Sequence, residues 1–470
     1  MAAELWARPG GVGEIRRRDP RARAPQVLAM LALVAAPALA QIPANSRPAT
    51  ATGDTVRLTW SEARSRALQQ NPELLAARLD TAIARGELRQ AGLLLRFNPD
   101  ADFLAAGGGS GIEVGVSQEL ELFNQQGARR AAGRAGLHRA RAGVANASRL
   151  TLGEVERAFY RLAAAARRSA LADEVLGLTR RLADVAGRQL QAGEVSRLDY
   201  NLATIELGRS RARAVATRRE RAEGNVELGR LLGLPPGTTI APVADSVIAL
   251  PPTGDSTVAV SPARDPSDVP PPLAPTVTNL DVDSLTRLAL ASRPDLAERA
   301  AATRQAEAQA TVARREAWPN LVLRASSQRE AGETRALRPG VGLALPLFNR
   351  NRGEIQARQA QAEQAELERA AIATKVRADV ASSVAAYQAA ATEVQVLAAT
   401  VLVPARQNRR LLETAYREGK IGLPELLLIR NQAVEAELEY WESWLAMREA
   451  SAALSEAIGQ QLTTPPSGAP

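Results

Sequence analysis

Cysteine is absent from the 470-residue sequence, and only one histidine is present. The lack of thiols excludes disulfides, thiolate metal sites and cysteine nucleophiles. Aromatic residues make up only 3% of the chain, which argues against a thick globular core, because such cores rely on large rings. No Ser/His/Asp set, pair of catalytic carboxylates or phosphate-binding loop stands out, so the sequence favours neither an enzyme nor a cofactor-binding protein.

Alanine and arginine are abundant, and both favour helix. The formal net charge is +8, of which residues 1–40 supply +3 through six arginines and three acids. The remaining basic residues alternate with Glu and Asp along the predicted helices, which is typical of solvated faces with ion pairs one turn apart. A nucleic-acid site would need clustered bases interleaved with aromatic residues, so we expect no nucleic-acid partner.

The N-terminus has the pattern of an export signal. Five arginines between positions 16 and 23 precede an apolar run from Val27 to Leu39, and Ala38-Leu39-Ala40 is a small-x-small cleavage site. The run is too short for a permanent membrane-spanning helix. We therefore predict that residues 1–40 are a signal peptide and that the protein is exported.

Two halves of the chain repeat one another at an offset of 220–226 residues. The matching pairs occur in the same order in both halves: Asn71-Pro72 with Arg293-Pro294, Pro99 with Pro319, Phe123-Asn124 with Phe348-Asn349, and Gly193-Glu194-Val195 with Gly419-Lys420-Ile421. The predicted organisation is a first repeat at 41–233, a proline-rich linker at 234–280, a second repeat at 281–460 and a disordered tail at 461–470.

Each half has the same predicted plan. An opening helix (61–95 and 284–317) ends before a proline, and a strand pair follows (101–106 with 112–122, and 320–328 with 339–347). A very long helix then runs out and a second one returns. The outgoing helices are predicted at 125–191 and 354–417, the latter kinked at Pro404, and the returning helices end near 232 and 458. Val155, Phe159, Leu162 and Ala166 have the 4-3-4 spacing of coiled-coil packing.

The strands indicate the environment. Ile112, Val114 and Val116 alternate with Glu113, Gly115 and Ser117, which gives one apolar and one polar face. The helices carry only narrow apolar stripes, so lipid is the best solvent for the apolar face. A sheet in lipid must close, and four strands per chain are too few for a barrel. Three chains would supply twelve strands, and their long helices would continue the pore as a tube.

The segment Leu345–Ile355 (Leu-Pro-Leu-Phe-Asn-Arg-Asn-Arg-Gly-Glu-Ile) resembles the TolC-like family of outer-membrane efflux proteins, and looks most like its heavy-metal and cation exporter subgroup. The first half departs from this motif, since Glu121 replaces the proline. The resemblance implies a mainly α fold in a homotrimer, with a twelve-strand outer-membrane β-barrel, a twelve-helix periplasmic α-barrel and an equatorial belt. It also implies a passive conduit for metal cations or small toxic compounds. The implied partners are outer-membrane lipid, a periplasmic adaptor (membrane fusion) protein and an inner-membrane pump of the resistance-nodulation-division type.

The resemblance further implies that the adaptor docks on the two helix-to-helix turns. These turns contain Gly193, Val195, Ser196, Arg197, Leu198 and Asp199, and Gly419, Ile421, Gly422, Leu423 and Pro424. Ser196 is the better candidate for the helix N-cap, and Val195, Leu198, Ile421 and Leu423 are expected to place apolar groups on an exposed turn. The alternative is a plain helical-hairpin turn whose residues pack on their own chain.

A second set of residues is predicted to form the strand-to-helix corners, which we interpret as architectural: Phe123, Asn124, Gly127, Pro346, Phe348, Asn349 and Gly353. In this interpretation Pro346 ends the sheet pairing and Gly353 relaxes the turn into the helix. The sequence leaves two other readings open. One is an exported periplasmic coiled-coil adaptor or scaffold without a pore, and the other is a basic helical nucleic-acid binder.

Overall fold

A computed structural model describes residues 55–105, 112–243, 280–329, 336–418 and 420–460 of the chain. The predicted signal peptide, the loop of each strand pair, most of the proline-rich linker, Gly419 and the predicted C-terminal tail lie outside the described residues.

The order of elements in the first half is helix, helix, strand pair, long helix and returning helix, framed by two short strands. The elements are β1 (Thr55–Leu58), α1 (Trp60–Gln70), α2 (Pro72–Ala91), β2 (Asp100–Ala105), β3 (Ile112–Leu120), α3 (Gln125–Gln191), α4 (Arg197–Leu231) and β4 (Thr239–Pro242). The second half follows the same order without the framing strands: α5 (Val282–Ser292), α6 (Pro294–Glu316), β5 (Leu321–Arg329), β6 (Ala336–Leu343), α7 (Arg352–Val396), a π-helical segment (Leu397–Leu402), α8 (Val403–Arg417) and α9 (Leu423–Ile458).

The prediction of one continuous opening helix in each half is wrong. Asn71 and Arg293, each followed by proline, have extended backbones with ψ of 122° and 124°, and a second helix starts at the proline. A residue before proline is driven out of the helical region by the proline ring, which explains the break in both halves.

Asn71 links the break between α1 and α2 to the C-terminal end of α4. It is only 2% exposed, its Oδ1 accepts a hydrogen bond from the Leu74 N–H (2.8 Å), and its Nδ2 donates to the Leu231 carbonyl (2.9 Å). In the second half, Arg293 donates from Nη1 to the Ala457 carbonyl (3.1 Å). The end of each returning helix is therefore held by the residue at the break of the opening helix.

We expect Asn71→Ala to lower the free energy of unfolding by about 2–4 kcal/mol. The change removes a helix cap and leaves the buried Leu231 carbonyl without its donor. Thr59→Ala is the matched control, because Thr59 caps α1 but bonds only to Ser61 and Glu62; it should cost about 1 kcal/mol. Denaturant unfolding of the purified protein in detergent measures both values, and an equal loss in the two variants would contradict the role assigned to the Leu231 contact.

The four longer strands form one antiparallel sheet in the order β2-β3-β5-β6, so that the two strand pairs join through β3 and β5. Pairing of β5 with β6 ends at Leu343, so the prediction that the strand continues to Leu347 and is ended by Pro346 is wrong. Within the described sheet, β2 and β6 each have one edge without a partner strand.

The sheet has one apolar and one polar face, as the alternation predicts. Directly paired residues share a face in an antiparallel sheet. The apolar face therefore carries Phe103, Val114, Val116, Leu323 and Val341, which are all exposed. On the polar face, the Arg324 guanidinium reaches across Gly115 to Asp102, at 2.6 Å.

The prediction of an unbroken helix at 125–191 is confirmed by α3, which at 1.5 Å per residue is about 100 Å long. It packs against α2, α4, α6 and α9, while α7 packs against α6 and α9. A kink is predicted at Pro404, and there a π-helical segment immediately precedes α8. The wider turn removes the clash between the proline ring and the carbonyl of Thr400, four residues earlier.

Two apolar clusters form much of the packing between the helices, and the first of them includes the short strands. One joins β1, α3, α4 and β4 through residues such as Leu58, Phe159, Leu231 and Ile240, and the other joins α7 to α9. Tyr160 links the two clusters: its ring lies 6.3 Å from that of Trp60 and 5.8 Å from that of Trp444. Several of the few aromatic residues therefore lie in or against these two clusters.

Candidate functional site: the helical turns and the strand–helix corners

The turn between α3 and α4 is held by its own hydrogen bonds. Gly193 has φ of +75°, a conformation that favours glycine, and the Glu194 N–H donates to the Gln189 carbonyl (2.8 Å). Ser196 caps α4, as predicted: its Oγ accepts from the Asp199 N–H (3.2 Å), and Asp199 accepts from the Ser196 N–H (3.3 Å) and hydroxyl (2.7 Å). These hydrogen bonds therefore fix the backbone conformation of the first turn.

The turn between α8 and α9 packs against the hairpin of α3 and α4. One buried cluster contains Ala186 and Ala203 from the first hairpin and Leu412, Leu423, Leu426 and Leu427 from the second. Leu423 is only 9% exposed, so the prediction that it is an exposed group is wrong. The first residue of a helix can turn its side chain into a neighbouring helix pair, and the turn motif alone does not reveal that packing.

The exposed surface at the two turns is smaller than predicted. Arg197, Gly422 and Pro424 are exposed, Leu198 is 68% exposed, and Val195 and Ile421 are half-buried. Leu428, one turn into α9, adds an exposed apolar side chain that the sequence motif did not include. The structure brings both turns together, with Arg197 and Leu198 as adjacent exposed charged and apolar side chains of the first.

A buried polar layer separates this cluster from the rest of the helices. Thr179 donates to the Ser210 hydroxyl (3.0 Å), and Arg430 donates to Glu206 (2.7 Å). Arg430 is 3% exposed, and burial lowers its pKa while Glu206 opposes that shift. Sequence reasoning missed this layer, although an arginine between Leu427 and Val434 on a heptad-spaced helix was a usable signal.

The strand-to-helix corners use a left-handed asparagine. Asn124 and Asn351 have φ of 59° and 56°, and α3 and α7 start at the next residue. The prediction of Asn349 as the equivalent of Asn124 is therefore wrong: Asn349 instead accepts the Asn351 N–H through its Oδ1 (3.0 Å). Asparagine tolerates this conformation because its short polar side chain can bond locally.

The neighbouring glycines differ between the two corners. A Cβ on Gly127 would lie 2.0 Å from the Asn124 Oδ1, so the first corner leaves no room for a side chain there. A Cβ on Gly353 would meet nothing within 4 Å, and the backbone of Gly353 is not left-handed. The prediction that Gly353 relaxes the turn is wrong. Glu121, which replaces the proline in the first half, forms a buried ion pair with Arg129.

A charged cavity lies beside the crossing of α3 and α9. Glu456 of α9 lies over Gly153 and bonds to Arg157 (2.9 Å) and Arg149 (3.5 Å), one turn to either side of that glycine on α3. A Cβ at Gly153 would come within 2.7 Å of the Glu456 Oε2. Glu156 lines the same cavity, and burial raises its pKa to about 7, although Arg448, Arg157 and Arg64 oppose the shift. A glycine between two arginines at four-residue spacing was the sequence signal for this site, and it was missed.

One helical stretch, Arg352–Ala405, contains an 18-residue window that by length and composition alone could cross a membrane. Four of its side chains (Val380, Val384, Tyr387 and Val394) are buried in the cluster with α9, whereas Leu367, Val396 and Val403 are exposed. Packing within the chain therefore accounts for only part of the apolar character of this stretch.

Comparisons with known proteins agree with this architecture. Residues 285–460 match the family model described as outer membrane efflux protein. A search of curated proteins finds no match. Among solved structures, the fold is similar to the CmeC outer membrane channel of Campylobacter jejuni (TM-score 0.67, 14% identity, 86% of this chain and 87% of that one). It is also similar to CusC (TM-score 0.64, 16% identity, 85% and 92%) and to the open state of the MtrE outer membrane channel of Neisseria gonorrhoeae (TM-score 0.61, 20% identity, 86% and 89%).

Proposed function

We propose that the chain belongs to the outer membrane efflux protein family, whose model matches residues 285–460, and that it is the outer-membrane channel of a tripartite efflux pump. It carries substrate passively from the periplasm of a Gram-negative bacterium to the exterior. The family match is the observation that carries this conclusion.

The sheet supports a β-barrel shared between chains. Its apolar face is exposed, and the outer edges of β2 and β6 have no partner strand in the described residues. Lipid is the solvent that such a face requires, and open edges do not survive in lipid. We propose that β6 of one chain pairs with β2 of the next, so that three chains close a twelve-strand barrel.

A second seam on α4 supports the matching helical tube. One heptad-spaced row of α4, including Ala203, Ser210, Ala214 and Thr217, is buried on α3. A second heptad-spaced row is exposed: Ile205, Gly208, Ala212, Val215, Ala222 and Val226. Positions two residues apart on a helix point about 200° apart, so the two rows lie on opposite flanks. A helix in the wall of a tube needs a neighbour on each flank, and the second neighbour belongs to another copy of the chain.

Val215→Glu tests this arrangement. Val215 is 65% exposed in the single chain, so the change should leave the fold intact and abolish the trimer by burying an unpaired charge in each of its interfaces. Arg213→Glu is the control, since Arg213 is exposed and points about 160° away from Val215 on α4. Crosslinking in outer-membrane fractions measures the trimer yield of both variants, and single-channel recording measures their conductance. Equal trimer yields in the two would contradict the tube.

Export requires the remaining partners. We propose that a periplasmic adaptor docks on the surface formed by Val195, Arg197, Leu198, Ile421 and Pro424, and that the adaptor joins the channel to an inner-membrane pump of the resistance-nodulation-division type. A passive conduit leaves cargo selection to that pump, and metal cations or small toxic compounds are the cargo we propose. The common element order of the two halves favours an internal duplication.

The second candidate is a periplasmic coiled-coil scaffold without a pore. The heptad-spaced helices favour it, but it leaves the exposed apolar face of the sheet without a solvent. Recovery of the wild-type chain as a soluble periplasmic protein, with no conductance in bilayers, would decide for the scaffold.

A further inference from the structure

Exposed apolar and aromatic side chains collect at the boundary between the sheet and the helices. Phe348 is 100% exposed, and Trp318 is exposed while its ring stacks on Phe123 at 4.9 Å. Exposed leucines lie beside them in the chain: Leu94, Leu95, Leu345 and Leu347. Aromatic side chains prefer the interface between hydrocarbon and water, so this belt marks the level at which the apolar face of the sheet meets the lipid headgroups.

Arginines follow on the helical side of the belt. Six of them are exposed and form no ion pair or hydrogen bond through their side chains within the described residues: Arg89, Arg130, Arg134, Arg315, Arg350 and Arg352. Three neighbours are paired, namely Arg96 with Glu316, Arg129 with Glu121 and Arg358 with Glu354. The six free guanidinium groups therefore carry charge that the described part of the chain leaves without a partner.

The direction of one of these groups, Arg134, follows from its position on α3. Arg129 turns toward Glu121, which follows Glu119 at the two-residue spacing of the polar face of the sheet. Residues on a helix are about 100° apart, so Arg134 points about 140° away from Arg129. Arg134 therefore projects on the side of the apolar face, where lipid lies if the sheet forms a barrel wall.

We propose that these arginines bind the phosphate groups of anionic phospholipids in the leaflet that faces the periplasm. The proposal rests on the outer-membrane location proposed above and adds to it a lipid class. A guanidinium presents paired N–H donors that match the oxygens of a phosphate, and a cluster of such groups favours anionic over zwitterionic headgroups. The phospholipid leaflet is the occupant because the arginines lie on the helical side of the belt, and the helices extend into the periplasm.

Quenching of tryptophan by brominated lipids tests the proposal, since Trp318 lies in the belt. The full chain is reconstituted in bilayers of brominated phosphatidylglycerol or brominated phosphatidylethanolamine. The wild type should prefer phosphatidylglycerol by roughly fivefold, and 0.5 M NaCl should reduce that preference. A variant with four glutamine substitutions should show nearly equal quenching by the two lipids: Arg130→Gln, Arg134→Gln, Arg350→Gln and Arg352→Gln. The corresponding four lysine substitutions should keep most of the preference for phosphatidylglycerol.

The control variant carries Arg180→Gln, Arg188→Gln, Arg211→Gln and Arg221→Gln, all exposed on α3 and α4 far from the sheet. It should retain the wild-type preference, and Trp318→Phe should remove the quenching. Equal quenching by both lipids in the wild type, or an unchanged preference in the first variant, would overturn the lipid assignment and leave the channel intact. Absence of quenching by either lipid would overturn the proposed membrane location and this inference with it.

Discussion

Arg197→Asp combined with Leu198→Asp should abolish export in cells and leave the trimer assembled. Both side chains are exposed at the start of α4, behind a turn that Gly193, Ser196 and Asp199 hold rigid. Exposed substitutions of this kind usually change the free energy of unfolding by less than about 0.5 kcal/mol. Together the two changes shift the charge at the centre of the proposed adaptor surface by −3. Loss of a central contact typically weakens binding by several kcal/mol.

Growth under the toxic cargo measures export, and crosslinking measures assembly. Arg180→Asp with Ala216→Asp is the matched control, because it makes the same charge change at exposed positions away from the turns. Wild-type resistance in the Arg197/Leu198 variant would remove the docking proposal. Loss of the trimer in that variant would show that the surface belongs to an interface between chains.

Leu423→Asp gives a different expected result, although the sequence motif places Leu423 in the same surface. Leu423 is buried with Leu412, Leu426 and Ala186, so a carboxylate there disrupts the contact between the two hairpins. This variant should lower the thermal midpoint as well as export, and it therefore cannot report on docking alone.

Glu156→Gln should stabilise the protein at alkaline pH and have almost no effect below about pH 4, where the carboxyl is protonated in both states. Burial raises the pKa of Glu156 from 4.5 to about 7, so the folded state binds this proton more tightly than the unfolded state does. Between these two values the unfolded state ionises first, and the wild type loses stability as the pH rises. Above pH 7 the carboxylate is charged in both states, and the loss reaches about 3 kcal/mol for a shift of this size.

Glutamine removes that loss because it carries no charge at any pH. The arginines that face Glu156 come from three helices: Arg448 from α9, Arg157 from α3 and Arg64 from α1. Arg149 and Glu456 line the same cavity. Denaturant unfolding between pH 4 and pH 8 measures the difference between wild type and variant, with Glu154→Gln, an exposed neighbour on α3, as control. A stability difference that does not vary with pH would exclude the burial of Glu156 as its cause.

Periodicity predicted the elements better than the site. The bounds of α3 follow from the absence of a helix breaker between Gln125 and Gln191, and the faces of β3 follow from its alternation. The breaks at Asn71 and Arg293 were also visible as X-Pro pairs, but the surrounding helix formers outweighed them in the prediction. The choice between Asn349 and Asn351 was not available from the sequence, because both residues tolerate the left-handed conformation and only the three-dimensional path of the chain selects one.

The site depends on contacts between segments that are far apart in sequence. Leu423 is buried because another hairpin covers it, and Glu156 has a raised pKa because α9 covers it. Arg430 finds Glu206 across 224 positions of the chain. Local pattern carried only indirect signals for Arg430 and for the cavity, and none for the burial of Leu423, which accounts for the error at Leu423 and for the missed cavity.

The two unpartnered edges of the sheet have a genetic consequence. If β6 of one chain must pair with β2 of another, one chain with a damaged edge strand blocks every trimer that it enters. A cell that makes equal amounts of intact and damaged chains would then assemble only about one intact trimer in eight. An allele that disrupts β2 or β6 would therefore act as dominant, whereas an allele that merely lowers expression would be recessive.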